Sequence, residues 1–178
     1  MSLGFGHLIG AWVLGKIWEG WQQKRLNRVT WFCLLLAGIL PDIDNLIDWR
    51  FSLEVHRTFT HSFLFALFMG LLFYLVFSFF KRNGRKKYAQ EIYPLTIGFA
   101  FFLGISMHLF LDLFALPGVP LLWPLSYYFG INGIMTLTGT VTSDFNFVFP
   151  RDFFIFILDM SLGIGWLLWF VVRGRLRP

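Results

Sequence analysis

Two of the chain's four histidines stand five residues apart in E-V-H-R-T-F-T-H-S-F, Glu54 to Phe63, with Arg57 between them and an apolar run immediately after. A second group, H-L-F-L-D, spaces His108 and Asp112 at i and i+4, so on a helix they share one face and can hold one cation together. A third, P-D-I-D at Pro41 to Asp44, closes an apolar run with two carboxylates. With His7 near the N-terminus, these side chains offer neutral nitrogen and anionic oxygen, the donors that Zn²⁺ and similar divalent cations take. One or two such ions with an open position would lower the pKa of a bound water to about 7 and polarise an acyl or phosphoryl oxygen, which is the chemistry of hydrolysis. Arg57 is placed to give a forked contact to a phosphate, or to anchor at lipid headgroups.

The elements that must position these groups are apolar blocks. The 178 residues are 57% hydrophobic and only 14% charged, with a mean hydropathy of +0.65, and soluble domains carry about 25% charged residues. The blocks approach the roughly 20 residues of a bilayer span. They predict helices over Leu3–Trp21, Leu26–Leu40, His61–Phe80, Pro94–Phe114 and Phe153–Val172 in one domain, residues 1–178. The fold expected is therefore an all-α polytopic bundle of about five transmembrane helices. The N-terminus lacks a signal-peptide pattern and is expected to stay in the mature protein. Cys33, the single cysteine, lies within an apolar block and supports neither a disulfide nor a Cys-based metal site.

Basic clusters follow the first, third and fifth blocks: Lys24, Arg25 and Arg28, then Lys81 to Lys87, then Arg173 to Arg177. The positive-inside rule puts all of them in the cytoplasm and the N-terminus outside, and it accounts for the net charge of +5 without nucleic acid. Trp49, Trp123, Tyr127 and Tyr128 then fall at the outer boundary, and Trp18, Trp21, Trp166 and Trp169 near the inner one. G-H-L-I-G and S-L-G-I-G read as close-packing surfaces between helices.

This topology brings all four histidines to the outer side, together with Asp42, Asp44 and Asp112. The second block, fifteen residues from Leu26 to Leu40, advances about 22 Å against an apolar core of roughly 30 Å, so P-D-I-D lies below the surface. His108 is recessed by about 9 Å, and Asp159 similarly. Ionisable groups at that depth need one another, a wet cavity or a metal. If Asp42 and Asp44 are both ligands, their turn must be non-helical. Otherwise Asp44 pairs with Arg50 or Arg57. Thr58 or Thr60 is expected to cap the third helix, with His61 in its first turn. Asp159 reads as a supporting hydrogen-bond partner, and Asp144, Asn146 and Asp152 as a solvated loop.

G-H near the N-terminus, G-I-L-P-D-I-D at Gly38 to Asp44, H-R-T-F-T-H-S at His56 to Ser62, and H-L-F-L-D followed by G-V-P-L-L-W-P-L-S at Gly118 to Ser126 carry a family pattern. Over about Gly4 to Ser126 the chain resembles the YdjM-type, LexA-regulated membrane-bound metal-dependent hydrolases. That family is multi-pass and remotely similar to zinc-dependent phospholipase C. The resemblance implies His7, Asp42 or Asp44, His56, His61, His108 and Asp112 as metal ligands. Thr58 stands where members often have glycine, and residues 127–178 carry none of the pattern.

The expectation is a cell-membrane hydrolase with one or two divalent cations, Zn²⁺ first, recessed from the extracytoplasmic face. It acts on an ester or phosphoester, in a lipid or lipid-linked substrate. Asp42 or Asp44 would act as general base and Arg57 as substrate anchor. One rival is a metal or ion transporter, or a metal-binding membrane protein without catalysis. The other is a haem protein with His7 and His108 as axial ligands.

Overall fold

The structure, a computed structural model, describes residues 4–51, 57–83, 92–114, 118–125, 127–130, 133–136, 157, 159–169 and 172. These residues are mostly helical: α1 (Gly4–Gln22), α2 (Arg28–Ile39), α3 (Ile43–Phe51), α4 (Phe63–Asn83) and α5 (Pro94–Asp112). Residues 159–169 are helical as well. Among the described residues α4 and α5 are the helices long and apolar enough to cross a membrane. His56, Asp144, Asn146 and Asp152 lie outside the described residues.

Helix α5 is the hub. Its buried residues include Ile97, Phe101, Ile105, His108 and Asp112, a spacing of three or four that makes one inward seam. It packs against α4 on one side and against α2 and α1 on the other. Small residues set these distances. A methyl group at Gly104 would sit 2.6 Å from both the Ala37 Cβ and the Leu34 carbonyl of α2. One at Gly98 would sit 2.6 Å from the Gly70 carbonyl of α4. Without a hydrophobic force between helices in lipid, such close backbone approach is what makes packing favourable.

At the end away from the histidines, Glu19 ties the α1–α2 turn. Its Oε1 accepts from Leu26 N at 2.9 Å and Trp31 Nε1 at 3.0 Å, and its Oε2 accepts from Lys16 Nζ at 2.8 Å. Asn27 caps α2, accepting from Thr30 N at 2.8 Å. Trp18, expected in an aromatic belt, is instead a core residue, edge-on to Phe99 at 5.3 Å. Its side chain points into the seam against α5.

The other end departs more from expectation. P-D-I-D is helical: Leu40–Asp42 form a 3-10 turn that runs into α3. Proline at the start of that turn needs no backbone donor there, so it bends the path without ending the helix. Neither Thr58 nor Thr60 caps α4. Phe59–His61 make a separate 3-10 turn, and Ser62 is the cap, its Oγ accepting from Phe65 N at 3.1 Å and donating to Phe59 O at 2.6 Å. His61 therefore precedes α4.

After α5 the chain returns across the top of α4, where Phe63 N donates to Leu121 O at 3.0 Å. It continues into an antiparallel hairpin, β1 (Tyr127–Gly130) and β2 (Gly133–Thr136), paired from Tyr127 with Thr136 to Gly130 with Gly133. Val119 and Phe129 exchange two 2.9 Å bonds that dock this hairpin.

Gly104→Val should force α2 and α5 apart and cost about 1–3 kcal/mol, as overpacking does. Gly165→Ala, with open space around the new methyl, should be near neutral. Thermal unfolding of both variants in detergent, read by circular dichroism, checks the pair.

Candidate metal centre

Asp42, His61, His108 and Asp112 come together from the α2–α3 turn, the turn before α4, and α5. One donor atom from each lies within 4.8 Å of the others. The Nε2 atoms of His61 and His108 are 3.3 Å apart. Asp112 Oδ2 is 3.4 Å from the first and 3.5 Å from the second, and Asp42 Oδ1 is 3.6 Å from each. His61, His108 and Asp112 are buried, whereas the Asp42 side chain keeps 19% of its surface exposed.

The outer side of each ring is already committed. His108 Nδ1 is 2.8 Å from the Gly38 carbonyl, which can only accept, so the proton sits on Nδ1 and Nε2 presents a lone pair inward. This contact exists because Gly104 lets α5 approach α2, where a methyl group would sit 3.1 Å from Gly38 N. His61 Nδ1 lies 3.2 Å from Asp44 Oδ2, which turns its Nε2 to the centre in the same way. Asp44 Oδ2 also accepts from the Thr60 hydroxyl and, at 3.3 Å, from Arg57 N.

Arg57 has a left-handed backbone, φ 58°, a conformation costly for a residue with a Cβ. It is pinned on both sides: its N–H meets Asp44, and its carbonyl accepts from Tyr128 Oη at 3.2 Å. The Arg57 side chain is buried beside these groups.

The donor set fits a cation. Metal–donor bonds of about 2.0–2.1 Å put the corners of a tetrahedron roughly 3.3–3.4 Å apart, close to five of the six separations here, 3.3–3.6 Å, with the Asp42–Asp112 pair within 4.8 Å. Asp112 Oδ2 is buried and makes no hydrogen bond. With both Nδ1 atoms carrying the protons, it faces lone pairs, and buried carboxylates in that position call for a positive ion. Asp42, His61, His108 and Asp112 could thus hold one metal.

His7 stands next to this group. Its ring stacks on His108 with centroids 3.8 Å apart, and its Nε2 is 3.3 Å from Asp112 Oδ1, the oxygen facing away from the four-donor centre. A porphyrin cannot fit between two stacked rings, so the haem arrangement is excluded. Asp44 stands behind His61 and Asp42 in front. Asp159 accepts from Gly6 N at 2.8 Å and Phe5 N at 3.2 Å, satisfying the first amides of α1 and so positioning His7 one residue on. The Gly38 carbonyl, Thr60, Ser62 and Tyr128 carry no metal-ligand signature in sequence. Of these, Thr60 carries the capping signal read from the sequence, and Ser62, three residues before Phe65 at a helix start, carries an equivalent one.

Asp44→Ala should weaken metal affinity by about 10–100-fold by releasing the His61 ring, whereas His108→Ala should abolish tight binding. Competition titration of detergent-purified protein with a chromophoric chelator measures both.

No curated protein and no solved structure matches the chain. The sequence model of the YdjM inner membrane protein family matches residues 1–174. A membrane composition, two span-length apolar helices and a buried Asp/His cluster agree with that match, and the chain belongs to the YdjM inner membrane protein family.

Proposed function

We propose that the chain is a membrane-embedded, metal-dependent hydrolase that cleaves an ester or phosphoester in a lipid or lipid-linked substrate. The observation that carries this reading is the convergence of two imidazole Nε2 atoms and two carboxylates in a buried centre whose one exposed edge is Asp42. A divalent ion held there by these residues, Zn²⁺ foremost, would supply an acidic water at about neutral pH and polarise the substrate oxygen. His7 Nε2 and Asp112 Oδ1 are the pair that would serve a second ion.

The chain's own residues divide the remaining work. Gly38 O and Asp44 hold the two rings in one tautomer and one orientation. In this reading His61, His108 and Asp112 would be the three ligands that leave a position for water, and Asp42, on the exposed edge, would take the proton from the attacking water. Asp44 is occupied by three donors and is a poor base. Arg57 neutralises an anionic substrate group. The reading includes five spans with the N-terminus and the site outside. In its support, His7, Asp42, His61, His108 and Asp112 gather at one end of the bundle, with Lys24, Arg25 and Arg28 beyond the opposite end of α1.

A second reading, metal binding without catalysis, is favoured by one observation: four protein donors are enough to close a tetrahedral site. Transport has less support, because the buried face of α5 below His108 is Ile105, Gly104, Phe101, Ala100 and Ile97, which offers a cation no polar path.

Purified protein loaded with Zn²⁺ should hydrolyse members of a panel of phospholipids, phosphodiesters and esters. Chelation should abolish turnover, Zn²⁺ should restore it, and His61→Ala should reduce it to background. Stoichiometric metal with no turnover across the panel would favour the non-catalytic reading, and metal uptake into sealed vesicles would favour transport.

A further inference from the structure

We infer that α3 lies within the outer leaflet, with Ile43, Ile47 and Phe51 against acyl chains, so that the Asp42 edge of the metal centre opens sideways to bilayer lipid. The substrate class named here, a bilayer-resident lipid entering laterally, and the choice of the outer leaflet rest on the proposed function; the contact of α3 with acyl chains does not.

Ile43, Ile47 and Phe51 follow one another at i, i+4 and i+8 and so form one row. They are 49%, 41% and 63% exposed. Asp44, on the flank of this row, is buried and fastens α3 to the protein by meeting Arg57 N, Thr60 and His61, while the row beside it stays exposed. The row is a continuation. Phe32 and Ile39 of α2 are exposed at 66% and 36%, and across the Leu40–Asp42 turn the same three- and four-residue spacing runs on into α3. Since the chain belongs to an inner membrane family, the apolar outer face of α2 faces lipid, and the α3 row extends that face.

Helix length places the row at the right depth. The 12 residues of α2 advance about 18 Å, roughly 12 Å short of crossing a 30 Å apolar core. The metal centre is attached at that point, so the 9 residues of α3, about 13 Å long, begin inside the apolar layer. Arg50 in the last turn of α3 lies over the Phe51 ring at 5.4 Å, an arrangement suited to carrying its charge to headgroup level while the apolar row stays below. In water the same row would leave contiguous apolar surface solvated. Phe63 and Leu64, just after His61, are exposed too, so apolar surface flanks the centre on both of its turns.

The test needs neither metal nor turnover. In a Cys33→Ser background, which removes the single cysteine, Ile47→Cys and Phe51→Cys variants carry an environment-sensitive fluorophore in phosphatidylcholine–phosphatidylglycerol vesicles. Quenching by lipids brominated along the acyl chain, with shielding from aqueous iodide, is expected at both positions. Iodide quenching equal to that of a label at exposed Gln22, without bromolipid quenching, would overturn the placement. Protection from both quenchers would overturn it too, by showing that protein covers the row. In an active preparation, Ile47→Lys should lower turnover of vesicle phospholipid at least about 10-fold and spare a short-chain soluble ester, and equal loss on both would refute lateral entry while leaving the hydrolase reading intact.

Discussion

Two imidazole nitrogens 3.3 Å apart, each with its proton held on the far side of the ring, cannot satisfy each other. Asp42 and Asp112 bring more electron density to the same point, and burial removes the water that would otherwise solvate it. A shared cation resolves this conflict, and the surrounding architecture makes sense as the means of holding the conflict in place. Preorganisation of this kind is expected wherever a site must bind tightly without rearrangement.

The means are mostly backbone. Gly104 against Ala37 and Gly38 sets the α2–α5 distance, and that distance delivers the Gly38 carbonyl to His108. The left-handed turn at Arg57 points an amide at Asp44, and Asp44 orients His61. Tyr128 closes the far end of this relay from the hairpin, while Leu121 receives the first amide of α4. Asp159 does the same for α1. Each of these contacts satisfies a polar group that lipid could not, so stability and aim come from the same bonds.

Much of the centre was legible in the residues. The i, i+4 spacing of His108 and Asp112, and the position of His61 at the mouth of an apolar block, predict convergence because a helix face and a topology rule are enough to deduce it. The division of labour between Asp42 and Asp44 was not legible. Their spacing forbids a shared direction on a helix, but a helical turn can still use both if His61 sits between them, one carboxylate at each ring nitrogen. Trp18 likewise reads as a belt residue by position and is core by direction. The hairpin was missed because Y-Y-F-G and G-I-M-T are too short and too apolar to stand out from membrane sequence. Backbone partners such as Gly38 O leave no signature at all.

X-ray absorption spectroscopy of the Zn²⁺-loaded protein in detergent tests the shared-cation claim most directly. The account predicts one shell of nitrogen and oxygen donors at about 2.0–2.1 Å with outer-shell scattering from two imidazole rings, and no such two-ring spectrum from His108→Ala, which no longer holds the ion tightly. A purified protein that retains no metal, or a spectrum without imidazole scattering, would contradict it.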